Sequence, residues 1–200
     1  MTAWNVTVRH DIQVRGYAFG LRPVHLDDAA FILSLRTDPE LSRYINPTSD
    51  SLKDQRAWMQ RYFARANDYY WIVTRSETKE PEGAVALYNV DYASHLGEWG
   101  RWVLRKGSLA AVESASLVYR AAFEVLNLRR IYCRTVLANR SVVSFHASCG
   151  LETSVDAGLR VRLRGTDHEV VEQFLTADRW PLVKRVVDER ACAVAHLLGR

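Results

Sequence analysis

The chain has 200 residues, of which 48% are hydrophobic and 25% are charged, which is enough for one domain with a sizeable core. Its 27 basic and 23 acidic side chains give a formal net charge of +4 without a long basic run, which suits an anionic ligand better than a nucleic acid. No repeat, low-complexity segment, leader or membrane-length apolar run is recognisable, so we expect one cytoplasmic domain over residues 1–200.

The first third of the chain predicts one strand followed by two helices. Residues 17–23 read as a strand, and an amphipathic helix follows that Asp27 or Asp28 caps and that ends near Pro39. A second helix, over about residues 51–67, carries aromatic residues at helical spacing. The predicted core of the domain begins with this first strand.

Three consecutive strands are predicted next. Residues 69–74 and 84–92 are rich in aromatic and β-branched side chains, and the segment 80–83 between them reads as a turn. A further turn at residues 94–97 leads into a strand over residues 98–105. The economical arrangement of these three strands is antiparallel.

The second half of the chain alternates helices and strands. Small residues on one stripe predict a helix over residues 109–126 that packs closely on a sheet, and residues 130–136 form the short strand that a crossover helix delivers. Asn139 begins a helix that Gly150 ends. The core, over about residues 17–178, is completed by a hairpin of residues 159–164 and 169–176, and a terminal helix covers about residues 181–198.

This order of elements predicts a mixed α/β fold of the α+β kind, with a mostly antiparallel sheet flanked by helices. Neither a GxGxxG nor a GxxxxGK[ST] motif occurs, so a dinucleotide fold and a P-loop are not predicted. The three cysteines form no CxxC pair, so we expect neither a disulfide framework nor a metal site.

A phosphate site is predicted in the turn over residues 105–110, between a predicted strand and a predicted helix. Gly107 makes the turn flexible, and the unpaired N–H groups and positive dipole end of the helix face the same small volume. Such a place binds a phosphate or pyrophosphate. Ser108 either adds a hydroxyl donor or caps the helix, and an ordinary capped turn would have the same sequence.

The order of elements and three local motifs resemble the GCN5-related N-acetyltransferases (GNAT family), particularly the branch of RimJ/RimL-type and nucleotide-amino-sugar acetyltransferases. The motifs are LRPVHLDDA at residues 21–29, EWGRWVLR at residues 98–105 and NxxxxxFHxxxGL at residues 139–151. The resemblance covers roughly residues 21–176. It implies a single GNAT-type domain whose sheet splays apart between its fourth and fifth strands, and an acetyl-CoA-dependent enzyme.

The resemblance also implies how acetyl-CoA would bind. The family's pyrophosphate turn, [Q/R]xxGx[G/A], is matched at Arg105 and Ala110, but Ser108 takes the place of the central glycine. The pantetheine arm would pair with the fourth strand, and Asn139 would hold it from the opposite lip or would only cap its helix. The implied cofactor-binding residues are Trp102, Val103, Leu104, Arg105, Lys106, Gly107, Ser108, Leu109, Ala110, Asn139 and His146.

Two residues are candidates for proton transfer. Glu98 matches a glutamate of this family branch and would remove the proton of the acceptor ammonium, directly or through water; otherwise it is a surface carboxylate paired with Arg101 or Arg134. His146 takes the place of a tyrosine that protonates the leaving sulfur. An imidazolium can also donate a proton, whereas the alternative is a histidine on the helix surface beside Cys149.

The family's acceptor pocket lies between the early helices and the far end of the sheet. Strand alternation puts Tyr88 and Tyr92 on one face and Asn89 and Asp91 on the other, so both pairs are not expected to serve one pocket equally. A later strand carries arginines at alternate positions that either grip a diphosphate or form a solvated face. The candidate acceptor residues are Tyr44, Tyr88, Asn89, Asp91, Tyr92, Arg160, Arg162 and Arg164.

The predicted function is acetyl-CoA-dependent acetylation of a primary amine on a small molecule. The segments LYNVDY and EWGRW favour a nucleotide-linked amino sugar as this acceptor. A RimJ/RimL-like protein N-terminal acetyltransferase is the alternative with the same donor site, and a non-catalytic acyl-CoA-binding or RNA-binding module is the alternative of another class. We expect no membrane or nucleic-acid partner, and a monomer or a homodimer.

Overall fold

A computed structural model describes residues 9–155 and 158–199, so the predicted domain over 1–200 extends beyond the described residues at 1–8, 156–157 and 200. The described strands are β1 (Val14–Arg15), β2 (Phe19–Pro23), β3 (Tyr69–Arg75), β4 (Pro81–Asp91), β5 (Leu96–Leu104), β6 (Arg130–Val136), β7 (Glu152–Thr153), β8 (Arg160–Leu163) and β9 (Thr166–Thr176). The α-helices are α1 (Ala29–Thr37), α2 (Leu52–Phe63), α3 (Ala111–Arg120), α4 (Arg140–Ser148) and α5 (Trp180–Leu197).

The strands form one sheet in the order β1-β2-β3-β4-β5-β6-β9-β7, and β8 pairs with β9. Every described pair is antiparallel except that of β5 and β6, which α3 connects as a crossover. The mixed α/β fold with a mostly antiparallel sheet is therefore confirmed. No described helix has both the length and the apolar composition that crossing a membrane requires.

β5 and β6 separate part-way along their length. They pair only where residues 96–98 face residues 130–132. Further along, β5 carries a bulge in which Arg101 and Trp102 lie opposite the single β4 residue Val85, and Arg101 has a φ of +48°. A bulge bends its strand and increases the local twist. The fourth and fifth predicted strands correspond to β5 and β6, so the predicted splay between them is confirmed. It leaves an unpaired backbone edge on β5.

The two faces of the sheet carry two apolar clusters. Alternation along β3 puts Trp71 and Val73 in one cluster and Tyr70 and Ile72 in the other. Helices α3 and α5 cover the first cluster, and α1 and α2 cover the second. The helices thus lie on both faces, and the splayed edge between β5 and β6 stays open.

The turn predicted over residues 80–83 is wrong, since Pro81 to Gly83 lie inside β4. A glycine suits position 83 there, because a Cβ would come within 2.5 Å of the Val103 carbonyl oxygen across the β4–β5 pair. The helix predicted over about residues 109–126 is confirmed as α3, which a π-helical turn over Ala121–Val125 continues. The predicted strand over residues 130–136 is confirmed, as is the helix that Gly150 ends with a φ of +86°.

Candidate active site

A cleft of about 1170 Å³ opens where β5 and β6 separate. β5 forms one wall, the end of β6 and α4 form the other, and α1, α2 and the loop between them extend the cleft at one end. The predicted site residues that line it are Tyr44, Tyr88, Glu98, Trp102, Val103, Leu104, Asn139, His146 and Arg160. The structure thus brings half of the predicted donor and proton-transfer residues to this cleft, whereas residues 105–110 of the predicted phosphate turn do not line it.

Glu98 lies at the point where the two strands part. The hydroxyl of Tyr88 donates to its Oε1 at 3.1 Å, the Asn89 side-chain amide donates to its Oε2 at 3.1 Å, and the Tyr132 hydroxyl donates to Oε2 at 3.4 Å. Burial, followed by the negative charge of Glu98, raises the pKa of Tyr132, so this phenol remains a donor. Three neutral groups therefore orient the carboxylate without an ion pair.

The two arginines that the sequence offered as partners of Glu98 bind other carboxylates instead. Arg101 donates two hydrogen bonds to Asp68, at 2.7 and 3.0 Å, and Arg134 donates to Glu172 at 3.2 Å. Among the described residues no cation lies within salt-bridge distance of Glu98. The reading of Glu98 as a surface carboxylate in such a pair is therefore wrong.

A second bulge explains why Tyr88 and Asn89 reach the same carboxylate. Tyr88 pairs with Glu98 and Asp91 pairs with Leu96, which leaves two β4 residues opposite one residue of β5. Asn89 has a φ of +51° there, in the left-handed region that asparagine tolerates better than most residues. Strict alternation, which placed these neighbours on opposite faces, fails at this position.

Asp91 and Tyr92 lie outside the cleft, which corrects their prediction as acceptor-binding residues. The Asp91 carboxylate accepts hydrogen bonds from the Ser94 hydroxyl and, at 2.9 Å, from the Ala93 N–H, and these bonds lower its pKa. The Tyr92 hydroxyl contacts the hydroxyl of Tyr69. Both side chains therefore make local contacts near the β4–β5 turn and do not line the cleft.

His146 is buried among aromatic rings and is only 3% exposed. Its ring centroid lies 4.8 Å from that of Trp99 and 5.9 Å from that of Trp102, and its Nδ1 has no hydrogen-bond partner in the described chain. Burial lowers the pKa of His146 to about 4, so the imidazole is neutral at pH 7. This contradicts both the surface histidine and the imidazolium donor that the sequence suggested.

The turn between β5 and α3 has the geometry of an anion site. The Ser108 N–H donates to the Arg105 carbonyl at 3.1 Å, and Gly107 has a φ of +76° with open space where a Cβ would stand. Within the described part of the chain, the N–H groups of Gly107, Leu109 and Ala111 have no acceptor. The turn therefore fits the pyrophosphate of a CoA molecule through its backbone.

Ser108 takes part in this turn through its side chain. Its hydroxyl oxygen accepts a hydrogen bond from the Ala110 N–H at 3.2 Å. A central glycine could not make this contact, so the serine stabilises the turn by a local bond of its own. The departure from the family pattern is thus compatible with an anion-binding backbone.

The side chain of Arg105 donates hydrogen bonds to Glu82 and is therefore not free to bind a phosphate. The fully buried carboxylate of Glu82 accepts from Arg105 Nε at 3.0 Å and Nη2 at 2.6 Å, and from Arg75 Nε at 2.6 Å. Burial alone would raise the pKa of Glu82, but hydrogen bonds from Arg105, Ser108 and Arg75 outweigh it and lower the pKa. Arg105 therefore ties the turn to β3 and β4.

The ammonium group of Lys106 is also engaged by protein groups. It lies 3.1 Å from Oδ2 of Asp38 and 2.8 Å from Oε2 of Glu40, both in the loop after α1. These exposed ion pairs join the turn to the loop between α1 and α2. The backbone, rather than the side chains of Arg105 and Lys106, presents the unpaired donors of the turn.

Asn139 occupies the N-cap position of α4 without capping it. Its side chain makes no hydrogen bond to the helix backbone, and its Oδ1 accepts from the Ser141 hydroxyl at 3.1 Å. The side chain lines the cleft opposite β5. The reading of Asn139 as only a helix cap therefore loses its physical basis, and its position fits the far lip of a pantetheine channel.

Arg160, Arg162 and Arg164 do not form one row along the cleft. Val161 and Leu163 line the cleft together with Arg160 at the start of the strand, whereas Arg162 does not line it. Arg164 lies in the β8–β9 turn with a φ of +51°, and its Nη2 donates to the Ser42 carbonyl at 3.4 Å. Of the three, Arg160 alone lines the cleft.

Sequence reasoning missed a cluster around Arg101. Its guanidinium lies 4.4 Å from the ring centroid of Tyr88, 5.4 Å from that of Trp58 and 5.7 Å from that of Tyr70. Asp68, its carboxylate partner, is only 5% exposed. These residues come together through the bulge in β5 and contacts between distant segments, for which no local sequence signal exists.

The charged residues that line the cleft are predominantly cationic. Six arginines and two glutamates do so, whereas neither aspartate nor lysine does. Asp68 and Glu172 pair with three of these arginines and leave an excess of positive charge. The residues are Arg36, Arg43, Arg65, Arg101, Arg134 and Arg160, with Glu40 and Glu98. No described group of three or more His, Cys, Asp or Glu residues could hold a metal ion.

Comparison with known proteins gives a family and several structural neighbours. The model of the acetyltransferase (GNAT) domain matches residues 19–152. The apo structure of FdhC, described as a nucleotide-linked sugar GNAT, is 28% identical with a TM-score of 0.75, over 88% of this chain and 96% of that chain. A spermidine N-acetyltransferase from Vibrio cholerae, solved with CoA and spermine, is 19% identical with a TM-score of 0.72, over 82% and 98% of the chains.

The likeness to the spermidine N-acetyltransferase shows the fold alone. A search of curated proteins finds no match. The family model, by contrast, spans most of the chain, from β2 to the start of β7. It contains Glu98, the turn before α3 and Asn139. The chain therefore belongs to the GNAT acetyltransferase family and is an N-acetyltransferase.

Proposed function

We propose that the protein transfers the acetyl group of acetyl-CoA to the primary amine of a nucleotide-linked amino sugar. The observation that carries the choice of acceptor is the excess of arginine in the cleft. A positively charged cleft attracts a diphosphate and repels a polyamine. The likeness to a nucleotide-linked sugar GNAT at 28% identity supports the same acceptor class.

The donor half of the proposal rests on three features of this chain. The free N–H groups of the turn before α3 would bind the pyrophosphate, the unpaired edge of β5 over residues 102–104 would pair with the pantetheine arm, and Asn139 would hold the arm from the other side. Acetyl-CoA supplies the acetyl group as an activated thioester. The rings of Trp99, Trp102 and His146 exclude water from the adjoining wall.

Glu98 is the proposed general base. Its carboxylate would take the proton of the acceptor ammonium, directly or through a water molecule, so that the amine could form the new C–N bond as the thioester C–S bond breaks. The second proton that the nitrogen then loses would go to the departing CoA thiolate. Tyr88, Asn89 and Tyr132 fix the orientation of the carboxylate by their hydrogen bonds. His146, neutral at pH 7, is proposed to shape the wall of the cleft rather than to supply a proton.

An acceptor screen by thiol release from acetyl-CoA tests this proposal. We expect turnover with nucleotide-linked amino sugars, weak turnover with the free amino sugar, and none above background with spermidine or N-terminal peptides. Preference for the peptides would instead indicate the RimJ/RimL-like activity. Preference for spermidine would contradict the argument from the charge of the cleft.

A further inference from the structure

Two polar residues of α1 and α2 line the cleft without a role in the chemistry proposed above. Arg36 lies in the last turn of α1, and Gln55 lies in the first half of α2. They belong to the part of the cleft formed by the two helices, and neither of them is in the turn before α3 that fits the pyrophosphate of CoA.

Gln55 is a buried side chain with an unused donor. It is only 4% exposed, it lines the cleft, and its Nε2 has no hydrogen-bond partner in the described chain. Buried polar groups of native proteins nearly always have a partner, so an exception requires an explanation. An oxygen atom of a ligand in the cleft would satisfy this donor.

Arg36 is a half-buried cation without a carboxylate partner. Its Nη2 donates to the backbone carbonyl of Asn46 at 3.0 Å, and no described carboxylate lies within salt-bridge distance. The contrast with Arg101 is direct, since Asp68 neutralises that guanidinium. Arg36 and Arg101 also line one small recess together with Tyr70. Arg36 therefore contributes an uncompensated positive charge.

We propose that Arg36 and Gln55 form an anion subsite that binds a phosphate group of the acceptor and so selects phosphate-bearing amines. This inference rests on the proposed function and names the residues that give it specificity. A guanidinium donates strong, charge-assisted hydrogen bonds to phosphate, and the amide N–H₂ adds a donor fixed by burial. The same positive charge disfavours a polyamine.

Binding to the protein saturated with CoA tests the subsite while the donor turn is occupied. We would titrate uridine and thymidine diphosphate by calorimetry and expect Arg36→Gln and Gln55→Leu each to weaken binding by roughly 10- to 100-fold. Arg36→Lys keeps the charge and loses the planar guanidinium, so its affinity for the diphosphates should lie between those of the wild type and Arg36→Gln. The control is Arg56→Gln, an exposed arginine of α2 outside the cleft, which should bind as the wild type does.

The inference is overturned if the wild-type CoA complex does not bind nucleoside diphosphates at millimolar concentration, or if both Arg36→Gln and Gln55→Leu bind them unchanged. Acetyl transfer separates this failure from that of the proposed function. If Arg36→Gln acetylates a nucleotide-linked amino sugar with the wild-type KM, the subsite is excluded and the proposed function stands. If Arg36→Gln loses diphosphate binding but the wild-type enzyme acetylates no nucleotide-linked amino sugar, the subsite stands and that acceptor is excluded.

Discussion

Glu98 is the residue on which the proposed proton transfer depends. It lies where β5 leaves β6, and its carboxylate accepts three hydrogen bonds from neutral donors. These bonds hold the carboxylate in one orientation where it lines the cleft, as a general base requires.

Glu98→Gln keeps the shape of the side chain and removes the base. We expect kcat to fall by roughly 10²- to 10⁴-fold, while KM for acetyl-CoA stays close to the wild-type value, since the proposed donor contacts come from the backbone. Tyr88→Phe should lower kcat less, and its control Tyr92→Phe, outside the cleft, should have no effect. A wild-type kcat for Glu98→Gln would exclude Glu98 as the base.

His146 should make the stability of the fold depend on pH. Burial lowers its pKa to about 4 from the ordinary value of 6.5, so the unfolded chain takes up the proton first as the pH falls. The neutral side chain therefore contributes its full stability above pH 6.5, and this contribution is lost as the pH falls toward 4. At pH 5 the loss amounts to about 2 kcal/mol.

Urea unfolding at pH 7 and pH 5 measures this effect. We expect His146→Phe, which keeps a ring in the aromatic wall, to lose less stability on acidification than the wild type loses. Burial also lowers the pKa of His10 to about 4, so this residue should preserve part of the pH dependence of stability in His146→Phe. The control His196→Gln changes an exposed ring near the end of α5 and should behave as the wild type. An equal pH dependence in His146→Phe would show that its imidazole titrates normally.

At the scale of the element, the turn before α3 combines a left-handed glycine with free N–H groups. Gly107→Ala meets no atom at its Cβ, but its φ of +76° costs an alanine about 1 kcal/mol. Gly165→Ala in the β8–β9 hairpin, with a φ of +82° and the same open space, is the matched control. Both variants should lose similar stability, whereas only Gly107→Ala should raise KM for acetyl-CoA. Equal KM values would exclude this turn as the donor site.

The elements that sequence patterns predict well are those set by local chemistry. The short strand expected after the crossover helix is β6, Gly150 ends α4 with a positive φ, and the Gly107 turn precedes α3. The bulges in β4 and β5 leave no such pattern, because they depend on how two strands pair. They decide that Asn89 reaches Glu98 and that Arg101 reaches Asp68.

Burial is the second property that local patterns did not reveal at the site. The FH pair of the NxxxxxFHxxxGL motif located His146 in the cleft, but its neutrality follows from Trp99 and Trp102, which lie in a distant strand. Gln55 likewise looks like any polar helix residue, and only the packing of α2 against the sheet buries it. Residue roles that depend on desolvation therefore require the tertiary structure.

At the scale of the whole molecule, the cleft is lined by more cationic than anionic side chains. The chain carries a net charge of only +4, yet arginines outnumber glutamates six to two among the residues that line the cleft. A focused field of this kind raises the rate of encounter with an anion and is screened by salt. The charge distribution thus connects the architecture to the proposed acceptor.

The most direct test of the proposed function compares kcat/KM for a nucleotide-linked amino sugar and for spermidine, at about 0.05 M and about 0.5 M salt. We predict that the nucleotide-linked sugar is the better acceptor by roughly 100-fold or more at low salt, and that added salt narrows this preference by weakening the attraction of the cleft for its anion. A higher kcat/KM for spermidine, or equal values at both salt concentrations, would contradict a cleft built for an anionic acceptor.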